Sequence, residues 1–507
     1  MTQGDSQAFD PIAAIAHDKV PWYKKKHLLK LNLILACLLL LASANGYDGS
    51  AMNGLQTLHQ WQDFMDHPTG TWLGFINALY GIGASVGQLF VPWVTNNRGR
   101  RVAVWFGIVC VAIATILQTS AQNAGMFIAA RFFLGQASAW WGGSVPLLVT
   151  ETAFPTHRGM VTSLYNCGWY VGSLIAAWVT YGTRDIASSW AWRIPCVFQA
   201  LIPIVGCVGL LLVPESPRYL VSQDRNEQAK SVLVKWHGGG AANDLVDFEM
   251  EEITTAIRLE KGASATGYAS MIATKGNLHR LFITVTLGVF AQFNGVNIVS
   301  YYLALVLETV GITSVRDQTL INGCLQIWNL ILAVSAALSV DRLGRRMLFM
   351  TSSVGMLIFF TIVTALSGSF AETNRSATGL AVIPFLFLYY GCYDLAFTPL
   401  LISYPCEIWP YALRSKGLAI GLLCTNLSVT VNVFVNPIAL DAISWKYYIV
   451  YVVILIVVSL TCYFFYPETR NHTLEEMTVV FDGPSAMPLW TDKQVTTAYH
   501  DEKVEKV

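Results

Sequence analysis

The sequence predicts an all-α membrane protein: twelve transmembrane helices in two parallel six-helix halves, with a small cytoplasmic helical segment. Three observations predict it. The first is composition. Of 507 residues, 54% are hydrophobic and only 13% are charged, against roughly 25% charged in soluble proteins. A soluble chain of this length divides into several domains, each needing its own charged surface, and the mean hydropathy of +0.48 points away from that. The second is a series of twelve apolar stretches on the scale of the roughly 20 residues that cross a hydrocarbon core of about 30 Å. The third is a set of loop motifs that recurs once along the chain.

The stretches run over 31–52, 72–94, 102–121, 126–149, 160–182, 190–213, 280–306, 318–340, 347–368, 378–404, 415–436 and 445–466. Gly and Pro inside them are tolerated where neighbouring helices satisfy the freed backbone groups. The implied units are a tail 1–30, a first half 31–213, a polar segment 214–279, a second half 280–466 and a tail 467–507. Lys24-Lys25-Lys26 before an apolar run imitates a secretory signal, but the pattern continues into further spans and no cleavage is expected. Twenty-six Lys and Arg fall on the side of the tails and five on the other, which places both termini in the cytoplasm. Asn374-Arg375-Ser376 then lies outside as a usable glycosylation signal, and Asn471-His472-Thr473 lies inside.

The repeat is carried by three motifs. Glu151 and Arg158 are answered 256 residues on by Glu407 and Arg414. Asn96 to Arg101, with Arg100, is answered by Asp341-Arg342-Leu343-Gly344-Arg345-Arg346. Pro214-Glu215-Ser216-Pro217-Arg218 is answered by Pro467-Glu468-Thr469-Arg470. A doubled six-helix unit with a midplane site between parallel halves is one transporter architecture. These acids and arginines suit a cytoplasmic latch that pairs when the inner side is closed and parts when it opens. The alternative is that the arginines anchor helix ends to anionic headgroups.

Charge and cysteine content exclude other classes. Thirty-two acids balance 32 bases, so there is no basic footprint for nucleic acid. The ten cysteines are scattered through apolar stretches without a Cys-x-x-Cys pair and read as small apolar fillers. No metal-ligand cluster, nucleotide or flavin motif, or nucleophile–base pair stands within the spans. No cofactor and no enzymatic chemistry are expected.

Eight motifs in order resemble the sugar porter family of the major facilitator superfamily. Besides Glu151 to Arg158, Pro214 to Arg218, Asp341 to Arg346, Glu407 to Arg414 and Pro467-Glu468-Thr469, they are Gly46-Tyr47-Asp48, Arg131 with Phe132-Phe133-Leu134-Gly135, and Gln292-Phe293-Asn294-Gly295-Val296-Asn297 with Tyr301-Tyr302. Within the family the chain looks most like fungal lactose and cellobiose permeases. The resemblance implies a sugar carrier, functional as a monomer in the plasma membrane. It also makes Asp48 and Arg131 the proton-coupling pair, and 214–279 a helical bundle bracing the halves. Departures stand at Asn96, where an Asp is usual, and at Ala291-Gln292, where two Gln are usual. Asn166 replaces a Gln, Ile402 a Trp, and a second Trp is missing near Thr425-Asn426-Leu427. Smaller side chains enlarge a cavity and favour a disaccharide.

Charges at membrane depth are costly and usually functional. Burial disfavours a charged carboxyl and a nearby guanidinium favours it. An Asp48 alternately exposed to Arg131 and shielded from it would load and release a proton; a fixed ion pair is the alternative. In the seventh span, Asn294, Asn297 and Tyr301 fall on one helical face. Gln292 lies about 140° away from Asn297 on an ideal helix, so both reach one ligand only if the helix bends, and Gly295 offers the place. Asn329 and Asn166 match further sugar-contact positions of the family, though buried amides also glue helices. Asp394, in the tenth span, leaves three roles open: a sugar hydroxyl, a second titrating site, or hydrogen bonds to Tyr389, Tyr390 or Tyr393. Trp140-Trp141 reads as packing. The reading is a proton-coupled importer; a facilitative carrier or a non-transporting sugar sensor are the alternatives.

Overall fold

The computed structural model describes residues 22–155, 158–263, 268–470, 477 and 480–482. Ten spans are unbroken: the first (Lys26–Thr57), second (Gly70–Arg98), third (Arg100–Thr119), fourth (Ala124–Thr152), fifth (Arg158–Thr183), eighth (Val315–Leu343), ninth (Arg345–Thr373), tenth (Ser376–Ile408), eleventh (Tyr411–Ile443) and twelfth (Tyr447–Phe465). Two are broken: the sixth into Trp190–Phe198 and Leu201–Leu212, the seventh into Lys275–Phe293 and Val296–Glu308. Among the described residues, nine segments are long and apolar enough to cross a membrane, and one of them, 416–465, holds most of the eleventh span and all of the twelfth. The fourth and fifth spans, 29 and 26 residues long, complete the twelve. The outer faces are apolar: Leu89, Trp93, Ile116 and Phe464 are more than half exposed, as expected where lipid is the solvent and not for an aqueous surface.

Small residues bring the spans together. A Cβ on Gly172 of the fifth span would sit 1.7 Å from the Ser43 carbonyl of the first, and one on Gly46 would sit 1.9 Å from the Trp169 carbonyl. Backbones in contact gain dispersion where no hydrophobic force acts between helices. The halves meet where the first span packs on the second piece of the seventh and on the eighth, the second on the eleventh, and the fifth on the eighth and tenth.

Each broken span has a local cause. The sixth parts at Gln199 and Ala200, between Pro195 and Pro203, where prolines remove backbone donors. The seventh parts at Gly295, whose φ of +97° is a left-handed conformation favouring glycine. Asn294 makes the break: its side chain accepts from the Val296 N–H at 3.0 Å, and its carbonyl accepts from the Tyr389 hydroxyl at 2.8 Å.

Between the halves, Pro217–Ser222, Asn226–Trp236 and Asp244–Ala263 form a small helical cluster around Leu220, Leu233, Val246 and Ile253. Buried His237 ties it to the fourth span: Nδ1 meets Glu249 at 2.6 Å and Nε2 meets the Thr152 carbonyl at 3.2 Å.

Gly172→Val overfills a backbone-to-backbone contact. It is expected to destabilise the protein by at least about 2 kcal/mol, seen as a lower thermal unfolding midpoint in detergent and a smaller monodisperse yield.

Candidate functional site

Asp48 and Arg131 meet in the interior of the first half. Arg131 Nη1 donates to Asp48 Oδ1 at 2.5 Å, and both side chains are almost wholly buried. Gln199, at the break of the sixth span, donates to the same oxygen at 3.2 Å. The Tyr80 ring covers the guanidinium at 5.3 Å. Asp48 Oδ2 and Arg131 Nη2 take no partner among the described residues.

Beside this pair lies a cavity of about 290 Å³ between the halves, of small-molecule scale. Asn45, Tyr80, Gln88 and Ser138 line it from the first half, and Gln292, Asn297, Tyr301 and Asn426 from the second. Tyr80 and Tyr301 border it; Asp48 and Arg131 do not. The break lets Asn297 Nδ2 reach Gln292 Oε1 and the Gln292 carbonyl, each at 3.1 Å, so the two amides form one polar patch. Asn432 of the eleventh span donates to that carbonyl at 3.0 Å, and Asn436 and Tyr451 hold Asn432. A helix end inside a membrane leaves orphan carbonyls that need such partners.

The remaining predicted contacts fall elsewhere. Asn294 is fully buried in the break and does not border the cavity, because its side chain caps the second piece of the helix. Asn329 is fully buried away from the lining, without an amide partner among the described residues. Asp394 lies behind the lining and is bonded by the Tyr170 hydroxyl of the opposite half, not by Tyr389, Tyr390 or Tyr393. The side chains of Asn166, Arg158, Asp341 and Arg342 lie outside the described residues.

The cavity lining on the first, second, fourth, tenth and eleventh spans lies mainly between the level of Asp48 and the end that carries the chain termini. At the far end the halves are sealed. Asn53 Nδ2 donates to the Val299 carbonyl at 3.2 Å and to that of Ser300, while its Oδ1 accepts from the Leu303 N–H at 2.9 Å. Gln56 donates to the Tyr301 carbonyl at 3.0 Å.

At the terminal end the repeat reappears as two copies of one geometry. Arg100 holds Glu151 with Nε and Nη2 at 3.0 and 3.3 Å; Arg345 holds Glu407 with Nε and Nη2 at 3.2 and 3.0 Å. Ser216 and Thr469 donate to those same acids. Glu215 and Glu468 pair with main chain, not with guanidinium groups. Glu215 accepts from the N–H groups of Arg100 and Arg101, and Glu468 from those of Arg345 and Arg346. Each acid thereby caps a helix at its positive end. Arg101 and Arg346 donate instead to the Leu210 and Tyr463 carbonyls, and Arg218 has no bonded partner among the described residues. The latch expected to part on opening is thus, in these contacts, a clasp within each half, made while the cavity faces the terminal end.

A family model described as sugar (and other) transporter matches residues 34–481. The chain belongs to this family. It is a sugar transporter of the major facilitator superfamily, a multi-pass membrane carrier and not an enzyme. Similar proteins include the MFS-type transporter oryC of Aspergillus oryzae, 29% identical over 88% of this chain and 84% of that protein. The MFS glucose transporter mfs1 of Aspergillus flavus is 28% identical over 88% of each. Hexose transporter HXT13 of Saccharomyces cerevisiae is 25% identical over 82% and 76%. The proton:xylose symporter XylE bound to 6-bromo-6-deoxy-D-glucose shares the fold at TM-score 0.73 and 23% identity, covering 89% of this chain and 99% of that one. The inward open conformation of XylE from E. coli gives 0.72 and 23%, covering 89% and 100%.

Of this transporter's departures from the sugar porter pattern, Ile402 borders the cavity, as do Thr425 and Asn426. Leu427 is 50% exposed on the bundle exterior, so a ring lost there would not widen the cavity. Trp140 stacks on Phe106 at 5.1 Å, a packing role. Sequence reasoning missed Gln199, Asn53, Gln56 and Asn432. For Gln199 a signal existed: it is the one strongly polar side chain in the run 194–213.

Burial pushes the Glu468 carboxyl up, but four backbone N–H donors outweigh it and hold the group below its ordinary range. For Glu215 burial wins over its N–H donors and the group stays raised. The signs oppose. A lowered acid contributes stability above its unfolded value that is lost as pH falls; a raised one contributes stability present at low pH and lost as pH rises. Glu468→Gln should lower the thermal midpoint at pH 7. Its difference from wild type should shrink as pH falls below 4.5, the ordinary value, in unfolding scans over pH.

Proposed function

We propose that this sugar transporter is a proton-coupled importer working by alternating access, with both termini in the cytoplasm of a cell bounded by the membrane it spans. One observation carries the reading: a carboxylate and a guanidinium joined at 2.5 Å in the membrane interior, beside a cavity of sugar size but outside its lining. A charge at such depth is rare and usually functional. In this reading the present state faces the cytoplasm, and the Asn53 and Gln56 seal is the closed outer gate.

The cycle follows from the parts. With the outer gate open, sugar hydroxyls bind the amides of Gln292 and Asn297, and Tyr301 offers a ring. A proton reaching Asp48 weakens its grip on Arg131, since only the charged carboxylate is paired. Tyr80 and Tyr301 stand between the pair and the cavity, so their movement couples the two occupancies. The halves then rock, the Asn53 and Gln56 bonds form, and sugar leaves through the terminal end. The clasps of Glu151 and Glu407 keep each half rigid during the motion. Exposed Asn374, at the end of the ninth span, is on the outer side and open to glycosylation.

For the substrate we favour a disaccharide, on the grounds that Ile402 stands on the cavity wall where a Trp is usual in the family. A second reading, a hexose, is favoured by the relatives named glucose and hexose transporters. Competition by lactose, cellobiose, glucose and xylose in a transport-null host separates them. Sugar-evoked alkalinisation of the medium tests coupling, and its absence with uptake intact leaves a facilitative carrier. Asp48→Asn is expected to lose uphill accumulation while retaining sugar counterflow; concentrative uptake by this variant removes Asp48 from the coupling role. Gln292→Ala is expected to raise the half-saturating sugar concentration about five- to tenfold, the loss of one or two hydrogen bonds, measured as initial uptake rates.

A further inference from the structure

Asp394 is a fully buried carboxylate that the cycle above leaves unused. Its Oδ1 accepts from the Tyr170 hydroxyl and from Thr398 Oγ1, the latter at 2.9 Å. The two hydroxyl oxygens lie 3.3 Å apart. Oδ2 has no partner among the described residues. The surroundings are aromatic: Tyr390 sits edge-on to Tyr170 at 6.5 Å, and Tyr393 sits edge-on to Tyr390 at 5.9 Å. Tyr170 belongs to the fifth span, in the first half; Asp394 and Thr398 belong to the tenth, in the second. The contact therefore crosses the boundary along which the halves move.

We propose that the Tyr170–Asp394 hydrogen bond is a state-dependent tie between the halves, made when the cavity faces the terminal end and broken when it faces the other way. Asp394 is then a positioning residue that sets which side the empty carrier presents. Tyr170 and Thr398 border the cavity and Asp394 lies behind them, so occupancy of the cavity reaches the tie through these two hydroxyls. The far-end seal and this tie hold the same state from two levels, one by main-chain carbonyls and one by a side-chain acid. The assignment rests on the rocking carrier proposed above.

The test is a distance measurement on the full chain in nanodiscs, without sugar, so that no substrate need be known. Spin labels go on His59→Cys, at the start of the short helix His59–Phe64, and Thr313→Cys, exposed positions at the far end of the two halves, with the native cysteines replaced by serine. Asn53→Ala, which removes three of the four hydrogen bonds of the seal, serves as reference and should add a longer-distance population. Tyr170→Phe and Asp394→Leu should each shift the balance toward that population about fivefold, the weight of one hydrogen bond in a two-state equilibrium. Asp394→Asn keeps an acceptor oxygen and should stay near wild type, which a role for charge alone would not allow. The double variant Tyr170→Phe/Asp394→Leu should shift no further than either single, since both remove one interaction. A longer population in Asn53→Ala with none in the tie variants, or additive shifts in the double, overturns the tie alone. Absence of a longer population from every variant overturns the rocking carrier beneath it.

Discussion

The ion pair of Asp48 and Arg131 is the constraint around which the first half is organised. A single buried charge at this depth costs far more than a surface ion pair returns, so the two groups need geometry and further donors. Three spans converge to supply them. The first brings Asp48, the fourth Arg131, and the break of the sixth brings Gln199. Close backbone packing makes the convergence possible, since Gly46, two residues before the acid, lies directly against the fifth span. The bare oxygen of Asp48 and the bare Nη2 of Arg131 leave the pair under-satisfied, which suits the proposed cycle, in which the contact is given up and remade.

Among the described residues, the interior of the second half carries no such pair and solves a different problem. Its seventh span is interrupted, and the freed groups are taken up by its own neighbours: Tyr389 on the Asn294 carbonyl, and Asn297 and Asn432 on the Gln292 carbonyl. The interruption is what turns two amides that an ideal helix would separate into one patch facing the cavity. The duplicated clasps show how little of this asymmetry reaches the terminal end. There the two halves repeat Arg–Glu and acid–backbone contacts almost atom for atom, so the halves share a chassis and differ in the middle.

Much of this is legible in the chain because charges and amides stand out against apolar runs. Asp48 and Arg131, the paired Glu151 and Glu407, and the bend at Gly295 were all readable from type and spacing. The residues whose surroundings the chain does not disclose differ for three separate reasons. Placing Asn294 on the face of Asn297 assumes a continuous helix, and the bend itself moves it off that face and spends its side chain on a cap. Asp394 finds Tyr170 rather than the tyrosines a turn away, because its partner comes from a span 224 residues earlier in the chain. Glu215 and Glu468 choose main-chain N–H groups over arginines, and a sequence names side chains only. The same blindness hides the seal, whose acceptors are carbonyls.

That last feature reaches beyond the transport cycle. Asn53 and Gln56 grip the second piece of the seventh span through the carbonyls of Val299, Ser300 and Tyr301 and the N–H of Leu303. Main-chain groups are present whatever the side chain. Mutation at Ser300 and Tyr301, the two of these four that border the cavity, therefore leaves those contacts in place while reshaping the wall. Such a lineage is free to drift toward new diets without first learning how to shut its door.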